Sequence, residues 1–210
     1  MTFNEILSCL PVSLQKNIND MLALFEGVDQ QTKEFAGATG LKCKNGCGAC
    51  CENPEIETTA AEVMPLAVHL WSQGLAENKM EAIRSKSNKG ICVFYESDPA
   101  NSKQGRCGIY AYRPGICRLF GFAARQDKHG KPVLMTCRII KDSQPQVCER
   151  TQEQLNKGLS APLLTKHALG VSNIDPVHGQ KFLPINQAIS MAVEKIGFSA
   201  QVKNKNWQNT

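Results

Sequence analysis

The segment Cys43-Lys44-Asn45-Gly46-Cys47-Gly48-Ala49-Cys50-Cys51 contains four cysteines within nine residues. Spacings of three and four residues allow one turn of backbone to direct three of these thiols toward one point. Cys50 and Cys51 are adjacent, and neighbouring side chains usually diverge. The pattern is typical of sites that bind soft metals, and it leaves Cys50 and Cys51 free to serve different irons or different ions.

The whole chain has ten cysteines in 210 residues. Its first residues, 1–14, have no basic start, and Pro11 interrupts their apolar run, so we expect no secretory signal and a cytoplasmic location. Disulfides are rare in a reducing cytosol, where a pattern of this kind is more often metal-binding or catalytic. A disulfide framework and free thiols remain the alternatives.

We predict that eight of these cysteines are metal ligands: Cys43, Cys47, Cys50, Cys51, Cys92, Cys107, Cys117 and Cys137. Eight thiols allow two tetrahedral sites of four ligands each, or one cluster with additional thiols nearby. Cys9 is expected to be a small buried hydrophobe. Cys148 is left outside the ligand set, with a role as a spare ligand or redox partner still open.

Other residue types contribute fewer candidates. Arg113 and Arg118 flank Cys117 and are candidates to lie beside the cofactor and offset thiolate charge, although Arg113 is equally suited to capping a turn or pairing with a carboxylate. None of the histidines has a partner at ligand spacing, so we expect none to be a ligand: His69, His129, His167 and His178. We find no Ser/His/Asp arrangement, paired acid motif or phosphate loop, so no catalytic residue is assigned and enzymatic activity stays open.

The formal charge of +5 does not predict nucleic-acid binding. The Lys and Arg residues are scattered and form no block or stripe. If eight thiolates bound two dications, the charge would fall to about +1, because metal binding deprotonates its ligands. No apolar run approaches the roughly 18 residues of a membrane span, so we expect no membrane association. A protein partner stays open.

Hydrophobic periodicity predicts long helices on both flanks of the cysteine region, over 14–35 and 184–196. The capping box at Thr59 and Glu62 opens another helix, in which Pro65 implies a kink or a later start. Further helices are expected over 75–87 and 145–159. Short strands are expected at 91–95, 107–110, 122–126 and 132–136, with a polar loop over 97–105. We therefore predict an α+β fold, a helix-rich single domain with short antiparallel strands around a cysteine-lined metal centre.

We divide the chain into four segments. Residues 1–42 are predicted to be an N-terminal helical region, and 43–148 the cysteine-cluster metal-binding core. Residues 149–200 are predicted to be C-terminal helices packed on that core, and 201–210 a disordered polar tail.

Three motifs together resemble a known family. They are the four-cysteine segment 43–51, Cys92-Val93-Phe94-Tyr95, and Cys107-Gly108-Ile109-Tyr110-x-x-Arg113-Pro114-x-x-Cys117-Arg118. In order and spacing they resemble the YkgJ-type cysteine-cluster family, described as a zinc- or iron-chelating domain, over residues 43–140. This chain has one residue more between its first two cysteines than the usual C-x2-C-x2-C-C form. The resemblance implies metal or iron–sulfur binding in a small bacterial protein, without a settled reaction.

The spacing of the predicted ligands favours iron over zinc. Structural zinc sites usually use separated C-x2-C hairpins, whereas these ligands are irregularly spaced and include a vicinal pair. Our first hypothesis is an iron–sulfur protein with a redox or cluster-dependent role, and the second is a zinc-stabilised interaction module. The third is a cluster-dependent modifying enzyme, because the flagellin lysine methylases look like relatives and Cys43-x3-Cys47-x2-Cys50 has the radical-SAM spacing.

Overall fold

The structure is a computed structural model that describes residues 1–85 and 90–208, without the side chains of 102–103 and 202–208. The helices are α1 (Phe3–Ser8), α2 (Val12–Thr39), α3 (Ala49–Glu52), α4 (Ala60–Ser72), α5 (Ala76–Arg84), α6 (Gly115–Leu119), α7 (Arg138–Ser143), α8 (Pro145–Asn156), α9 (Leu164–Ile174) and α10 (Ile185–Gln208). The strands are β1 (Glu57–Thr59), β2 (Tyr95–Asp98), β3 (Asn101–Cys107), β4 (Ala123–Gln126), β5 (Pro132–Met135) and β6 (Phe182–Pro184).

Helix α4 forms the centre of the main core. Nearly all of its residues are buried, as expected for a helix that is apolar on all sides and surrounded by others. It packs against α1, α2 and α10, and the Trp71 indole donates a hydrogen bond to the Val193 carbonyl of α10 at 2.9 Å. The capping box of Thr59 and Glu62 is present and starts the helix at Ala60, so Pro65 lies inside the helix and does not delay its start.

The strands form three separate antiparallel pairs, β1 with β6, β2 with β3 and β4 with β5. The predicted helix-rich α+β class is confirmed. Within residues 1–85 and 90–208 there is no barrel of parallel strands, so the radical-SAM alternative lacks its usual scaffold. In the same part of the chain, none of the helices combines the length and apolar character needed to cross a membrane.

The strand prediction was wrong around the second cysteine motif. Residues 97–105, expected to be a loop, belong largely to the β2–β3 hairpin, whose exposed polar residues give no alternating apolar pattern. Of the expected strand 91–95, only Tyr95 lies in a strand, while Cys92, Val93 and Phe94 form a buried turn. The expected strand 107–110 ends at Cys107 and continues as a turn and a 3₁₀ helix at Tyr110–Tyr112.

The long helices and the β4–β5 hairpin agree better with the sequence. Helix α2 is longer than predicted, and α5 ends at Arg84, while the last predicted residues of that helix lie outside the described residues. Helix α10 reaches Gln208, although we expected a disordered tail from residue 201; the segment 201–208 contains no Gly or Pro that would stop a helix. The other boundaries between segments stay predictions.

Candidate metal centre

The four-cysteine segment is a loop between the end of α2 and the short helix α3. Gly46 and Gly48 both have positive φ, +65° and +62°, in the left-handed region that favours glycine. A Cβ on Gly48 would also lie 2.6 Å from Cε2 of Tyr95 and 2.8 Å from the carbonyl carbon of Gly105. The loop therefore needs glycine at position 48 both for its backbone conformation and for its close approach to the β2–β3 hairpin.

Main-chain hydrogen bonds attach this loop to the other cysteine-bearing segments. The Gly105 amide of β3 donates to the Gly46 carbonyl at 3.1 Å, and the Cys92 amide donates to the Cys51 carbonyl at 2.9 Å. Asn186 on α10 holds the same turn from the opposite side, because its side chain accepts from the Val93 amide at 2.9 Å and donates to the Ile91 carbonyl at 2.8 Å. Residues far apart in sequence are thereby fixed around one site.

These segments enclose a cavity of about 200 Å³. Seven of the eight predicted ligands line it: Cys43, Cys47, Cys50, Cys51, Cys92, Cys107 and Cys117. Ile109, Pro114 and Ile185 supply apolar wall, and Cys43 is exposed at the surface whereas Cys92 is buried. All ten cysteines of the chain are free thiols, so the disulfide framework is absent from the described structure.

The eighth predicted ligand, Cys137, lies beside this cavity and does not line it. Its thiol accepts a hydrogen bond from the Ile140 amide at 3.4 Å and so caps the N-terminus of α7. Its charge acts on two cavity thiols, because Cys137 contributes to raising the pKa of both Cys43 and Cys50. The structure therefore brings Cys137 close to the first cluster of cysteines.

Burial and neighbouring thiols raise the pKa values of five cavity thiols: Cys43, Cys50, Cys51, Cys107 and Cys117. Burial, followed by the charges of Cys43, Cys47 and Cys137, raises the pKa of Cys50 to about 11. For Cys51, the hydrogen bond with the Cys107 thiol lowers the pKa, but the hydrogen bond with the Cys92 thiol and burial outweigh it and raise the pKa to about 12. Burial also raises the pKa of Cys117, and the hydrogen bond with Cys51 raises that of Cys107.

The thiols line one cavity, but their sulfur atoms do not converge on a single position. Across residues 1–85 and 90–208, no three Cys, His, Asp or Glu side chains are already arranged to hold one metal ion. The donor set nevertheless fits a thiophilic metal, because it consists of free thiols in a half-buried cavity with apolar walls and no competing disulfide.

The two candidate arginines have different surroundings. Arg113 lines the cavity, stacks on the Tyr110 ring with its guanidinium carbon 3.4 Å from the ring centroid, and lowers the pKa values of Cys43, Cys107 and Cys117 against the stronger effects that raise them. Arg118 is buried and forms an ion pair with Asp29. It also donates to the carbonyls of Arg113 at 2.7 Å and Ala111 at 2.5 Å. Arg113 therefore faces the thiols, whereas Arg118 supports the turn that carries Arg113.

The remaining cysteines and the histidines lie away from the cavity. Cys9 follows α1 and is only half-buried, not fully buried as expected. Cys148 is buried in a second hydrophobic cluster that Cys137 also contacts. The four histidines are outside the cavity lining.

Sequence reasoning missed several residues that position the site. Asn186 has no motif around it, and neither does Gln144, whose side chain accepts from the Lys42 amide at 3.1 Å and donates to the Lys42 carbonyl at 2.6 Å. Glu62, identified only as part of a capping box, also accepts from the Gly115 amide of α6 at 2.9 Å. Such contacts span about 50 to 100 residues of sequence, and a single sequence carries no signal for them.

Comparison with known proteins identifies the cysteine region. The family model CxxCxxCC, "Putative zinc- or iron-chelating domain", matches residues 42–164, which is more than half of the chain. This match confirms the resemblance drawn from the three cysteine motifs. No curated protein and no solved structure matches the chain.

Proposed function

Because the chain belongs to the CxxCxxCC family of zinc- or iron-chelating domains, we propose that its cysteines hold an iron–sulfur cluster with a redox or cluster-dependent role. The observation that carries the proposal is the cavity lined by seven free thiols. Cysteine thiolates are the usual ligands of such clusters. The irregular spacing of these cysteines and the adjacent pair Cys50 and Cys51 differ from the separated C-x2-C hairpins of structural zinc sites, which favours a cluster.

The surroundings of the thiols suit a cluster. A hydrophobic shell limits access of water and thereby tunes a cluster's reduction potential, and Ile109, Pro114 and Ile185 supply such a shell here. Arg113 supplies positive charge at the cavity wall. When bound, the cluster would supply one-electron chemistry or a Lewis-acidic iron.

Anaerobic purification followed by analysis of iron, zinc and acid-labile sulfide tests this proposal. We expect a coloured protein with iron and sulfide in similar amounts, and visible absorption that bleaches on reduction. Cys51→Ser and Cys107→Ser should each lower the iron content, whereas Cys9→Ser should leave it unchanged. Colourless protein with stoichiometric zinc and no sulfide would contradict the proposal.

A zinc-stabilised interaction module is the second candidate. The observation that favours it is the scarcity of regular structure around Cys43, Cys47 and Cys92, because residues 40–48 and 91–94 are loops and turns. Zinc ligated by thiolates would connect these segments to the helical core and contribute folding free energy, leaving the exposed surface for a protein partner. Removal of zinc by a chelator should then unfold the cysteine region, which circular dichroism would report.

A further inference from the structure

We propose that the eight cysteines form two separate metal centres of four thiols each, divided between the adjacent residues Cys50 and Cys51. The inner centre consists of Cys51, Cys92, Cys107 and Cys117, and the outer centre consists of Cys43, Cys47, Cys50 and Cys137. This inference rests on the proposed binding of metal by the cysteines. It assigns the number of centres and the thiols that share each one.

The boundary between the two proposed centres lies in helix α3, which contains both Cys50 and Cys51. Successive side chains on an α-helix point about 100° apart, because the helix has 3.6 residues per turn. Cys50 and Cys51 are therefore directed to different sides of α3. The Cys51 amide donates to the Gly48 carbonyl at 2.8 Å, which fixes the turn that separates the two thiols.

The inner set is held together by contacts around Cys51. The Cys51 carbonyl accepts from the Cys92 amide at 2.9 Å, and Cys107 and Cys92 are the thiols that act most strongly on the Cys51 thiol. Cys92 belongs to the main hydrophobic core, and Cys51 and Cys117 pack against the same core. Cys117 is in electrostatic contact with Cys51, Cys50 and Cys107, so two of its three thiol neighbours are members of the inner set.

The outer set is held together by a second, independent connection. Gln144 follows α7, the helix that Cys137 caps, and its side chain bonds both the amide and the carbonyl of Lys42, at 3.1 and 2.6 Å. Lys42 directly precedes Cys43, so this double hydrogen bond ties the start of the cysteine loop to the helix of Cys137. Cys43, Cys47 and Cys137 act on the Cys50 thiol, and Cys47 and Cys137 act on the Cys43 thiol. Cys50 also acts on Cys51 and Cys117, which lie across the division.

The two sets also differ in their packing. Cys137 packs against the second hydrophobic cluster, which contains Phe35, Leu41 and Ile140, whereas Cys51, Cys92 and Cys117 belong to or border the main core. Four thiolates complete the coordination of a tetrahedral zinc ion or of a four-iron cluster. Each set therefore has the number of ligands that one such centre takes, and each ligating thiol releases one proton on binding.

Titration of the reduced, metal-free chain with Co²⁺ under anaerobic conditions tests the division. Co²⁺ bound by four thiolates has intense charge-transfer and d–d absorption, which reports the coordination directly. We expect two equivalents per chain for the wild type. The inner double variant Cys92→Ala/Cys107→Ala and the outer double variant Cys43→Ala/Cys47→Ala should each retain one equivalent, and Cys9→Ala should retain two. One equivalent or none in the wild type, or loss of both in each double variant, would overturn the proposal.

A substitution that leaves all the cysteines in place distinguishes loss of a metal centre from misfolding. Gln144→Ala removes the connection between Lys42 and α7 without removing a ligand, so it should weaken one of the two equivalents by about tenfold or more, the equivalent of a lost hydrogen bond to the backbone. Equal weakening of both equivalents would contradict the assignment of Cys43 and Cys137 to one centre. Far-ultraviolet circular dichroism of each variant verifies that the total helix content is unchanged.

The Co²⁺ titration and the analysis of native iron, zinc and sulfide test the two proposals separately. Native zinc in place of iron and sulfide would refute the iron–sulfur proposal, while two Co²⁺ equivalents would still support the division. Conversely, native iron and sulfide together with a single Co²⁺ equivalent would support the cluster and refute the division.

Discussion

The Glu62 carboxylate lies 2.9 Å from Nε2 of His167, and both side chains are buried. The same carboxylate oxygen accepts the Gly115 amide at 2.9 Å, and a Cβ on Gly115 would lie only 1.8 Å from Nε2 of His167. Three helices, α4, α9 and α6, therefore meet at this carboxylate. Because α6 carries Cys117, the contact in the core also fixes one wall of the cysteine cavity.

Replacing Glu62 by Gln should destabilise the fold by about 1–3 kcal/mol, because an amide NH₂ would face donors that the carboxylate now accepts. Those donors are the Thr59 amide and the hydroxyls of Thr58 and Thr59. Urea unfolding at pH 7 measures the effect. Glu57→Gln is the matched control, since Glu57 is exposed on the neighbouring strand and should change stability little.

The same carboxylate predicts a pH dependence of stability. Burial alone would raise the pKa of Glu62, but the hydrogen bond and charge of His167 and the bonds from Thr58 and Thr59 outweigh it and lower the pKa below the ordinary value of 4.5. A lowered folded-state pKa means that this stabilisation is complete above about pH 4.5 and is lost as the pH falls through the folded value. Wild type should lose its advantage over Glu62→Gln in that acidic range; an advantage that is constant down to pH 2 would contradict the assignment.

Gly48→Ala should disrupt the cysteine loop more than Gly46→Ala. Both positions have positive φ, which costs an alanine about 1–2 kcal/mol. Only position 48 is also crowded by Tyr95 and the Gly105 backbone, whereas a Cβ at position 46 would meet nothing closer than Oε1 of Gln104 at 3.9 Å. Metal content and thermal unfolding of the two variants measure the difference, and equal effects would show that crowding at position 48 is unimportant.

Arg113→Ala should weaken metal binding by about tenfold at neutral pH, the equivalent of roughly one pKa unit. Removing the guanidinium takes away a charge that lowers the pKa values of Cys43, Cys107 and Cys117, so protons compete more strongly with the metal. Competition with a chromophoric chelator measures the affinity. Arg125→Ala, at an exposed position of β4, serves as the control and should bind as the wild type does.

Metal affinity should rise steeply with pH between about 6 and 8. The thiols of Cys50 and Cys51 have pKa values raised to about 11 and 12, so they are protonated across this range and must release protons on ligation. Four ligating thiols per centre should release about four protons, giving a slope near four in a plot of log affinity against pH. A pH-stat titration counts the protons directly, and release of fewer than two per metal would contradict thiolate ligation.

The sequence predicted best those elements whose pattern is contained in one short segment. The capping box at Thr59 and Glu62, the β4–β5 hairpin and the apolar face of α10 are local patterns, and all three appear in the structure. The grouping of seven cysteines around one cavity agrees with the three cysteine motifs of the sequence, all of which lie within residues 42–164 of the family match.

The sequence did not predict the local structure where contacts between residues far apart in the chain decide it. The turn at 92–94 is apolar and looks like a strand, but its polar backbone groups bond Cys51 and Asn186, so no partner strand is needed. The β2–β3 hairpin is exposed and polar, which makes it indistinguishable from a loop by composition. Gln144 and Glu62 form hydrogen bonds with residues 102 and 53 positions away in the chain. The sequence near either residue contains no pattern that predicts its partner.

X-ray absorption spectroscopy at the edge of the metal that copurifies anaerobically tests the central claim most directly. We predict a first shell made only of sulfur, at about 2.3 Å, and for iron a second shell from neighbouring iron atoms. A first shell dominated by oxygen or nitrogen, or protein without bound metal, would contradict the assignment of these thiols as the ligands.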